Sequence, residues 1–472
     1  MTHYPNPGKP PILLIHGLAQ GSQIYWTNTL SKNLVSYMHE AGFDAWTVDY
    51  RLSNHVIPHM PDLDWSMDEI AEYDIPAMIN HVYGHSNQPV TIFGHCVGAC
   101  SLAMSTLANH VDNKKIQSAV VNAIHPWVET SPTNRVRSRF GQFNRDWIKT
   151  DHLNPIPSND GDAAQNLLDR LAFGFAKIRE LELDDHKHYG SADLSNGVCN
   201  RMSLLYGRMW NHKNLNPETH ADFIHMFGPA PSKVYQHLYY YSLQKRITDQ
   251  NGDNVYLQDQ HIRQRWTFPT LFIHGDDSRV FNPCSAIRSA ERLAQFTTQN
   301  DHTLLTQHKI YPDYGHMDVI FGKDAYKTVY PDALGFYQQA NIERRQPIPT
   351  YEVLSNALPN NPNMGPILRS AWIFEGHIHM RFWLEAKVNL TNKQNYFDVI
   401  GNDVERVNLQ NLEQSSGPSK QCRHWLMDIK IKNPRETVSF KLYCAGHQPP
   451  NDKTGIGGIE LTLKDQGWYK QL

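Results

Sequence analysis

The stretch Pro89-Val-Thr-Ile-Phe-Gly-His-Cys-Val-Gly-Ala99 reads as a strand, a sharp turn and the start of a helix. The apolar run from Val90 to Phe93 is the strand, and Ala99-Cys-Ser-Leu-Ala-Met-Ser-Thr-Leu107 is the helix, which leaves a thiol at the apex of the turn. Glycine suits positions 94 and 98 because strand and helix approach too closely there for a Cβ. The apex residue of such a turn takes strained backbone angles, so Cys96 is expected to stand clear at the top of a sheet. It also falls in the first turn of a helix, where unpaired N–H groups and the dipole favour an anion. That position predicts a thiol pKa below its ordinary value of about 8.5.

Upstream, Pro10-Pro-Ile-Leu-Leu-Ile-His-Gly17 is a continuous apolar run ending in His-Gly, the pattern of a strand buried on both faces. The loop from Leu18 can aim a backbone N–H. A helical stretch over 29–41 stops at Gly42, and Asp44-Ala-Trp-Thr-Val-Asp49 is a second strand. Ser66-Met-Asp-Glu69 is a capping box, and the helix it opens carries Ile70, Ala71, Ile75, Met78 and Ile79 on one stripe. After the sharp turn, Gln117-Ser-Ala-Val-Val-Asn-Ala-Ile124 is a further strand. Strands alternating with helices imply a mainly parallel sheet, whose sites lie at the carboxyl ends of the strands. His16, Gly17 and Cys96 all fall there.

From about 126 to 266 the pattern changes to helices and loops dense in aromatic residues. An insertion of this length between two sheet strands predicts a cap over the catalytic face, with most of its aromatics packing the cap's own core. The sheet resumes at Pro269-Thr-Leu-Phe-Ile-His-Gly275, followed directly by Asp276-Asp-Ser-Arg279. A last strand, His308-Lys-Ile-Tyr311, leads into Asp313-Tyr-Gly-His-Met-Asp318. Nucleophile, acid and base therefore occur in the chain order of the α/β-hydrolases. Acyl transfer needs a nucleophile, a base to take its proton and donors for the oxyanion that forms. Cys96 is the expected nucleophile and His316 the expected base. The backbone N–H groups of Val97 and Leu18 are the expected oxyanion donors.

The acid is the least determined member. A G-x-x-D-x-x-V pattern would place it at Ser278, so a loop one residue shorter makes Asp277 the choice, with Asp276 as the alternative. Asp318 suits a helix cap. His377-Ile-His379 shares one face of a strand but has no third ligand, and Asp184-Asp-His-Lys-His188 reads as an exposed loop, so no metal is assigned.

Several phrases resemble a known family. Gly94-His-Cys-Val-Gly98, Leu205-Tyr-Gly-Arg208, Pro217-Glu-Thr-His220, Asp313-Tyr-Gly-His-Met-Asp-Val-Ile-Phe-Gly-Lys323 and Val329-Tyr-Pro331 are similar to the α/β-hydrolase portion fused to cholesterol-oxidase-like GMC oxidoreductases. The likeness covers about residues 10–340. It implies a Cys96–His316 hydrolase or acyltransferase of lipid-like esters and an acidic residue at Asp277. It also implies association with an oxidoreductase partner or with further copies of the chain. The elbow is more distantly similar to those of polyhydroxyalkanoate synthases and dienelactone hydrolases. No G-x-G-x-x-G follows a strand, so neither flavin nor any other cofactor is expected. With the first strand beginning near residue 11, the leading hairpin usual in this fold has no room, which predicts an open sheet edge.

The bulk properties agree. The chain has 472 residues, is 40% hydrophobic and carries a net charge of −3, so it is long enough for two domains and has no basic footprint for nucleic acid. Six cysteines without paired spacing favour a reducing compartment. Neither a signal peptide nor a membrane span is visible, which predicts a cytoplasmic protein. After Arg344-Arg-Gln-Pro-Ile-Pro349, alternating runs such as His377-Ile-His-Met-Arg-Phe-Trp-Leu384 and Val438-Ser-Phe-Lys-Leu-Tyr443 predict a small antiparallel sandwich. The expected organisation is an α/β-hydrolase domain over 1–342 with a helical cap at about 126–266, then a β-sandwich-like domain over 350–472. The expected activity is hydrolysis of an apolar ester through an acyl-cysteine. Acyl transfer to an alcohol and a silent binding scaffold are the alternatives.

Overall fold

The computed structural model of the chain describes residues 1–130, 132–137, 151–156, 197–297 and 304–345, and beyond these the backbone of the strands between 351 and 465. Asp184 to His188 lie outside the described residues. The chain divides into two compact units, one formed by Met1–Ala290 with Leu305–Arg345 and the other by Glu291–Leu304 with Gln346–Leu472.

The larger unit is built on the strands Thr2–Tyr4 (β1), Pro11–Ile15 (β2), Asp44–Val48 (β3), Val90–His95 (β4) and Ile116–Asn122 (β5). Two short strands, His152–Leu153 (β6) and Ala230–Pro231 (β7), pair with each other, and Thr270–Gly275 (β8) and Thr306–Tyr311 (β9) complete the main sheet. Its spatial order is β1-β3-β2-β4-β5-β8-β9. Every neighbouring pair from β3 to β9 is parallel. All side chains of β2, β3, β4 and β8 are buried, which is why these segments read as unbroken apolar runs.

The edge differs from the expectation. Thr2–Tyr4 lies antiparallel on β3, with His3 opposite Trp46, so the sheet does not end on an open β3. The His3 ring stacks on Trp46 at 3.7 Å between centroids, and its Nε2 is 2.8 Å from Asp44 Oδ1. Three residues suffice to cover that edge, too short a run for period-two patterning to register. The second helix also starts later than expected, spanning Leu34–Glu40, because Asn33 caps it by accepting the Ser36 N–H at 2.9 Å. The Ser66–Glu69 capping box forms, with Ser66 N–H donating to Glu69 Oε2 at 2.7 Å.

Between β5 and β8 the described chain is mostly helical, with helices Pro132–Arg137, Gly197–Tyr206, Pro217–Ala221, Phe223–Met226, Ser232–Gln244 and Asp259–Arg265. β5 and β8 are nonetheless adjacent in the sheet, so the whole segment is an excursion from it. Trp210, Phe223, Phe227 and Phe321 pack together in a buried aromatic cluster, with Trp210 and Phe223 at 4.4 Å between centroids.

The smaller unit contains Tyr351–Val353 (β10), Ile367–Phe374 (β11), His377–Leu384 (β12), Phe397–Ile400 (β13), Val407–Leu409 (β14), Gln414–Ser415 (β15), Arg423–Lys430 (β16), Thr437–Cys444 (β17) and Gly458–Asp465 (β18). They form one sheet of order β10-β18-β17-β13-β14 and another of order β11-β12-β16-β15. All pairings are antiparallel. No helix among the described residues is long and apolar enough to cross a membrane.

Candidate active site

Cys96 sits between β4 and the helix Val97–Ala108 with φ +53° and ψ −123°, a backbone conformation that costs energy for any side chain larger than glycine. The turn is held from both sides. Cys96 N–H donates to Asn122 O on β5 at 2.9 Å, and Gly98 lies so close to β2 that a Cβ would fall 2.3 Å from His16 O. Gly17 is required for a related reason, since a Cβ there would meet the Cys96 Cβ at 2.5 Å.

The thiol corrects the sequence expectation in one respect. Cys96 is only 7% exposed, and burial pushes its pKa up to about 12 rather than down. The neighbouring backbone N–H groups of Leu18 and Val97 favour the thiolate and pull the other way, but desolvation outweighs them. The expected helix-terminus effect is therefore present and is overcome. The two expected oxyanion donors are thus the backbone groups that act on the sulfur.

His316 follows β9 in a tightly held turn. Met317 N–H donates to Met209 O at 2.9 Å, and Gly315 N–H donates to the Asp318 carboxylate at 2.7 Å. Asp318 is fully buried and also accepts from Asn214 Nδ2 at 2.6 Å and from Asn211 N–H at 3.3 Å. Burial raises its pKa to about 7, opposed by these donors. It therefore shapes the histidine turn rather than facing the ring.

The donor atoms of His95, Cys96 and His316 lie within 4.8 Å of one another. Only one of the two imidazoles is at liberty to take a proton. His95 Nδ1 accepts from Asn122 Nδ2 at 2.9 Å, which leaves Nε2 as the N–H, 3.1 Å from the Met317 sulfur. Both ring nitrogens of the buried His316 are without a hydrogen-bond partner. Burial first, then the neighbouring His95, His274 and His125 rings, holds the His316 pKa well below the usual histidine value, so the ring is neutral at pH 7. Because His95 is committed at both nitrogens, the trio suits a thiol and its base better than a metal ion.

The acidic candidates stand apart from this ring. Asp277 Oδ2 is 2.7 Å from Arg208 Nη2, and its Oδ1 is 3.8 Å from Arg279 Nη2. Asp276 accepts the Asp313 N–H at 2.6 Å, and burial raises its pKa to about 6. Neither carboxylate bonds His316. Ser278, at the position the family spacing assigns to the acid, is buried. His377 and His379 lie two apart on β12, opposite Lys430 and Asp428 of β16.

Sequence reasoning did not anticipate the ring of buried histidines at the carboxyl end of the sheet. His16 Nδ1 donates to Gly17 O at 2.9 Å, and His274 Nε2 donates to Phe281 O at 3.1 Å. His274 Nδ1 then accepts from His125 Nε2 at 3.1 Å. The His-Gly endings of β2 and β8 were the available signal. Arg208, quoted above only as part of a phrase, proves to be the partner of Asp277.

Cys96 and His316 open into a cavity of about 60 Å³ whose walls are mainly apolar and include Leu18, Leu205, Tyr206, Met209, Tyr235 and Phe281. A thiol, a neutral imidazole and two aimed N–H groups at an apolar cavity are the parts that acyl transfer requires.

The sequence pattern of the alpha/beta hydrolase fold matches residues 10–323, more than half of the chain. Triacylglycerol lipase 1 of Arabidopsis thaliana is 29% identical over 109 residues, which are 22% of this chain and 28% of that protein. The chain thus spans less than a third of that relative's length. Lysosomal acid lipase/cholesteryl ester hydrolase of Homo sapiens is 26% identical over 338 residues, covering 68% of this chain and 78% of that one. Among solved structures, a thermostable carboxyl esterase from Bacillus coagulans is 14% identical with a TM-score of 0.42, covering 72% of this chain and 93% of that one. Given the match over residues 10–323, the chain belongs to the alpha/beta hydrolase fold family.

Proposed function

We propose that the protein is a carboxylic-ester hydrolase of apolar, lipid-like esters that works through an acyl-cysteine on Cys96. The observation that carries this reading is the convergence of Leu18 and Val97 N–H groups on the sulfur, with the unpartnered His316 ring within 4.8 Å. Relatives named for hydrolysis of triacylglycerols and cholesteryl esters support the substrate class.

The reaction starts from a neutral pair. The Cys96 sulfur attacks the ester carbonyl as His316 takes the thiol proton, a mode suited to a thiol of high pKa beside a neutral base. The oxyanion of the tetrahedral intermediate is received by the Leu18 and Val97 N–H groups, each such donor being worth about 3 kcal/mol in the transition state. The intermediate collapses, the alkoxide leaves with the proton from the imidazolium, and a thioester remains. His316 then takes a proton from water, whose oxygen attacks the thioester. The acid is released and the thiol regains its proton.

Asp277 is our choice for the acid that orients the imidazole. That role requires its carboxylate to turn from Arg208 to the ring, a rearrangement consistent with catalytic hydrogen bonds that tighten only when substrate is bound. The segment from about 126 to 266 acts as the cap. At about 60 Å³ the cavity holds a few water molecules rather than an acyl chain, so the cap's side chains move to admit substrate.

The test is an activated aryl ester mixed with the full-length protein. A burst of product and an acyl mass on Cys96 are expected, with both absent in Cys96→Ala. A folded protein giving neither with short- or long-chain esters would leave only the fold. Products formed with and without an added alcohol separate release to water from transfer.

A further inference from the structure

Within the segment between β5 and β8, a second group of donors meets away from Cys96. Cys199 lies on the helix Gly197–Tyr206, His212 opens the turn His212–Asn214, and His220 lies on the helix Pro217–Ala221. Each is at most 8% exposed, and one donor atom from each falls within 4.8 Å of the others. We propose that Cys199, His212 and His220 form a site for a zinc ion, which ties these three elements together.

The spacing carries the inference. Cys199 Sγ is 3.5 Å from His212 Nε2. A zinc ion bonded to sulfur at about 2.3 Å and to nitrogen at about 2.0 Å, with a tetrahedral angle between them, separates those two atoms by about 3.5 Å. One thiolate and two imidazoles select zinc over magnesium or calcium, which prefer oxygen. With three protein ligands, the fourth position falls to a solvent molecule.

Two neighbours fix what loading must do. Trp210 Nε1 donates to His212 Nε2 at 3.2 Å, so the ion takes over that lone pair and the indole N–H gives up this acceptor on loading. Binding displaces the Cys199 thiol proton to solvent, one proton per ion. The turn that carries His212 is itself anchored to the His316 loop, since Asn211 Nδ2 donates to Asp313 O at 3.0 Å and Asn214 Nδ2 donates to Asp318 Oδ2 at 2.6 Å. Leu205, Tyr206 and Met209, which line the cavity, fall between Cys199 and His212 in the chain. The ion would therefore brace the cavity wall without touching the reacting atoms.

The test is metal analysis of the full-length protein after exposure to zinc and desalting. One zinc per chain is expected, with the thermal midpoint falling when a tight chelator removes it. Cobalt in its place should give a thiolate-to-cobalt charge-transfer band in the near ultraviolet. Cys199→Ser and His220→Ala should lose the ion, and Cys96→Ala should keep it, which separates this site from the thiol in the cavity. The proposal is overturned by wild-type protein that retains no zinc, by cobalt bound without the thiolate band, or by zinc lost in Cys96→Ala but kept in Cys199→Ser. The cobalt spectrum is read on wild-type protein, so a variant that fails to fold does not obscure the answer.

Discussion

Arg208 Nη2 lies 2.7 Å from Asp277 Oδ2, and both side chains are largely withdrawn from solvent, at 19% and 17% exposure. This pair decides what the loop after β8 does in the resting protein. With the Asp277 carboxylate held on Arg208, both His316 ring nitrogens are without a partner, so in the proposed mechanism the base is oriented by its turn alone until substrate arrives. Asp277→Asn is expected to lower kcat/KM by about tenfold, far less than the loss of a thousandfold or more expected for His316→Ala. It should also cost about 1–3 kcal/mol of stability by leaving Arg208 short of its anionic partner. Steady-state kinetics and thermal melts on the two variants check this. An Asp277→Asn enzyme as fast as wild type would remove Asp277 from the mechanism and leave a Cys–His pair.

The thiol gives a second prediction. With its pKa pushed up to about 12 and the His316 pKa held well below the usual value, the resting pair is neutral rather than a thiolate and an imidazolium. Alkylation of Cys96 by iodoacetamide at pH 7 should be slower than that of free cysteine and should still be rising at about pH 9. Mass spectrometry of the peptide containing Cys96 over a pH series measures it. Rapid alkylation that is flat with pH would establish an ion pair instead.

Gly17 offers a probe of the proposed oxyanion donors that deletes no side chain of the proposed mechanism. In Gly17→Ala the new Cβ would fall 2.5 Å from the Cys96 Cβ and 3.2 Å from its sulfur, so the loop must retreat and take the Leu18 N–H with it. Loss of one such donor costs about a hundredfold or more in kcat. The expected result is a folded variant with a suppressed burst rate, read by stopped-flow with an activated ester. Wild-type burst kinetics in Gly17→Ala would show that Leu18 N–H is not a donor in the reaction.

How much of this was legible in the sequence follows from how far each determinant reaches. The parallel sheet, the strained turn at Cys96 and the Ser66 cap depend on residues within a few positions of each other, and the apolar runs marked them directly. The thiol's pKa departs from the expectation because the first turn of the helix Val97–Ala108 is a local feature, whereas the burial that overrides it is set by the fold around the turn, where Cys96 shares a cavity with Leu205, Tyr206, Met209 and Tyr235, more than a hundred residues away. The engagement of Asp277 by Arg208 and the exchange between His125 and His274 are likewise contacts across long loops. No periodicity encodes them. The covering of β3 by Thr2–Tyr4 escaped for the opposite reason, being too short a segment to show alternation.

The buried histidines make stability depend on pH with a definite sign. Burial lowers His16 to about 4, His95 to about 3 and His274 to about 4, each from an unfolded value near 6.5. Between those limits the unfolded chain binds more protons than the native one, so stability is fully present above about pH 6.5 and is lost as pH falls through the folded values. Asp318, raised to about 7, acts in the other direction, favouring the native state at low pH and losing that contribution as pH rises from about 4 to 7. These histidines, joined by His125 and His316, which burial also lowers, outweigh Asp318 together with Asp276, which burial raises to about 6, so the midpoint of urea unfolding should drop steeply from about pH 6.5 to 4.5. In His274→Gln the amide can still donate to Phe281 O but cannot take up a proton, and the drop should be visibly shallower than in wild type. Parallel slopes for the two proteins across that window would mean that His274 does not titrate on unfolding, and the acid lability would have to be assigned elsewhere.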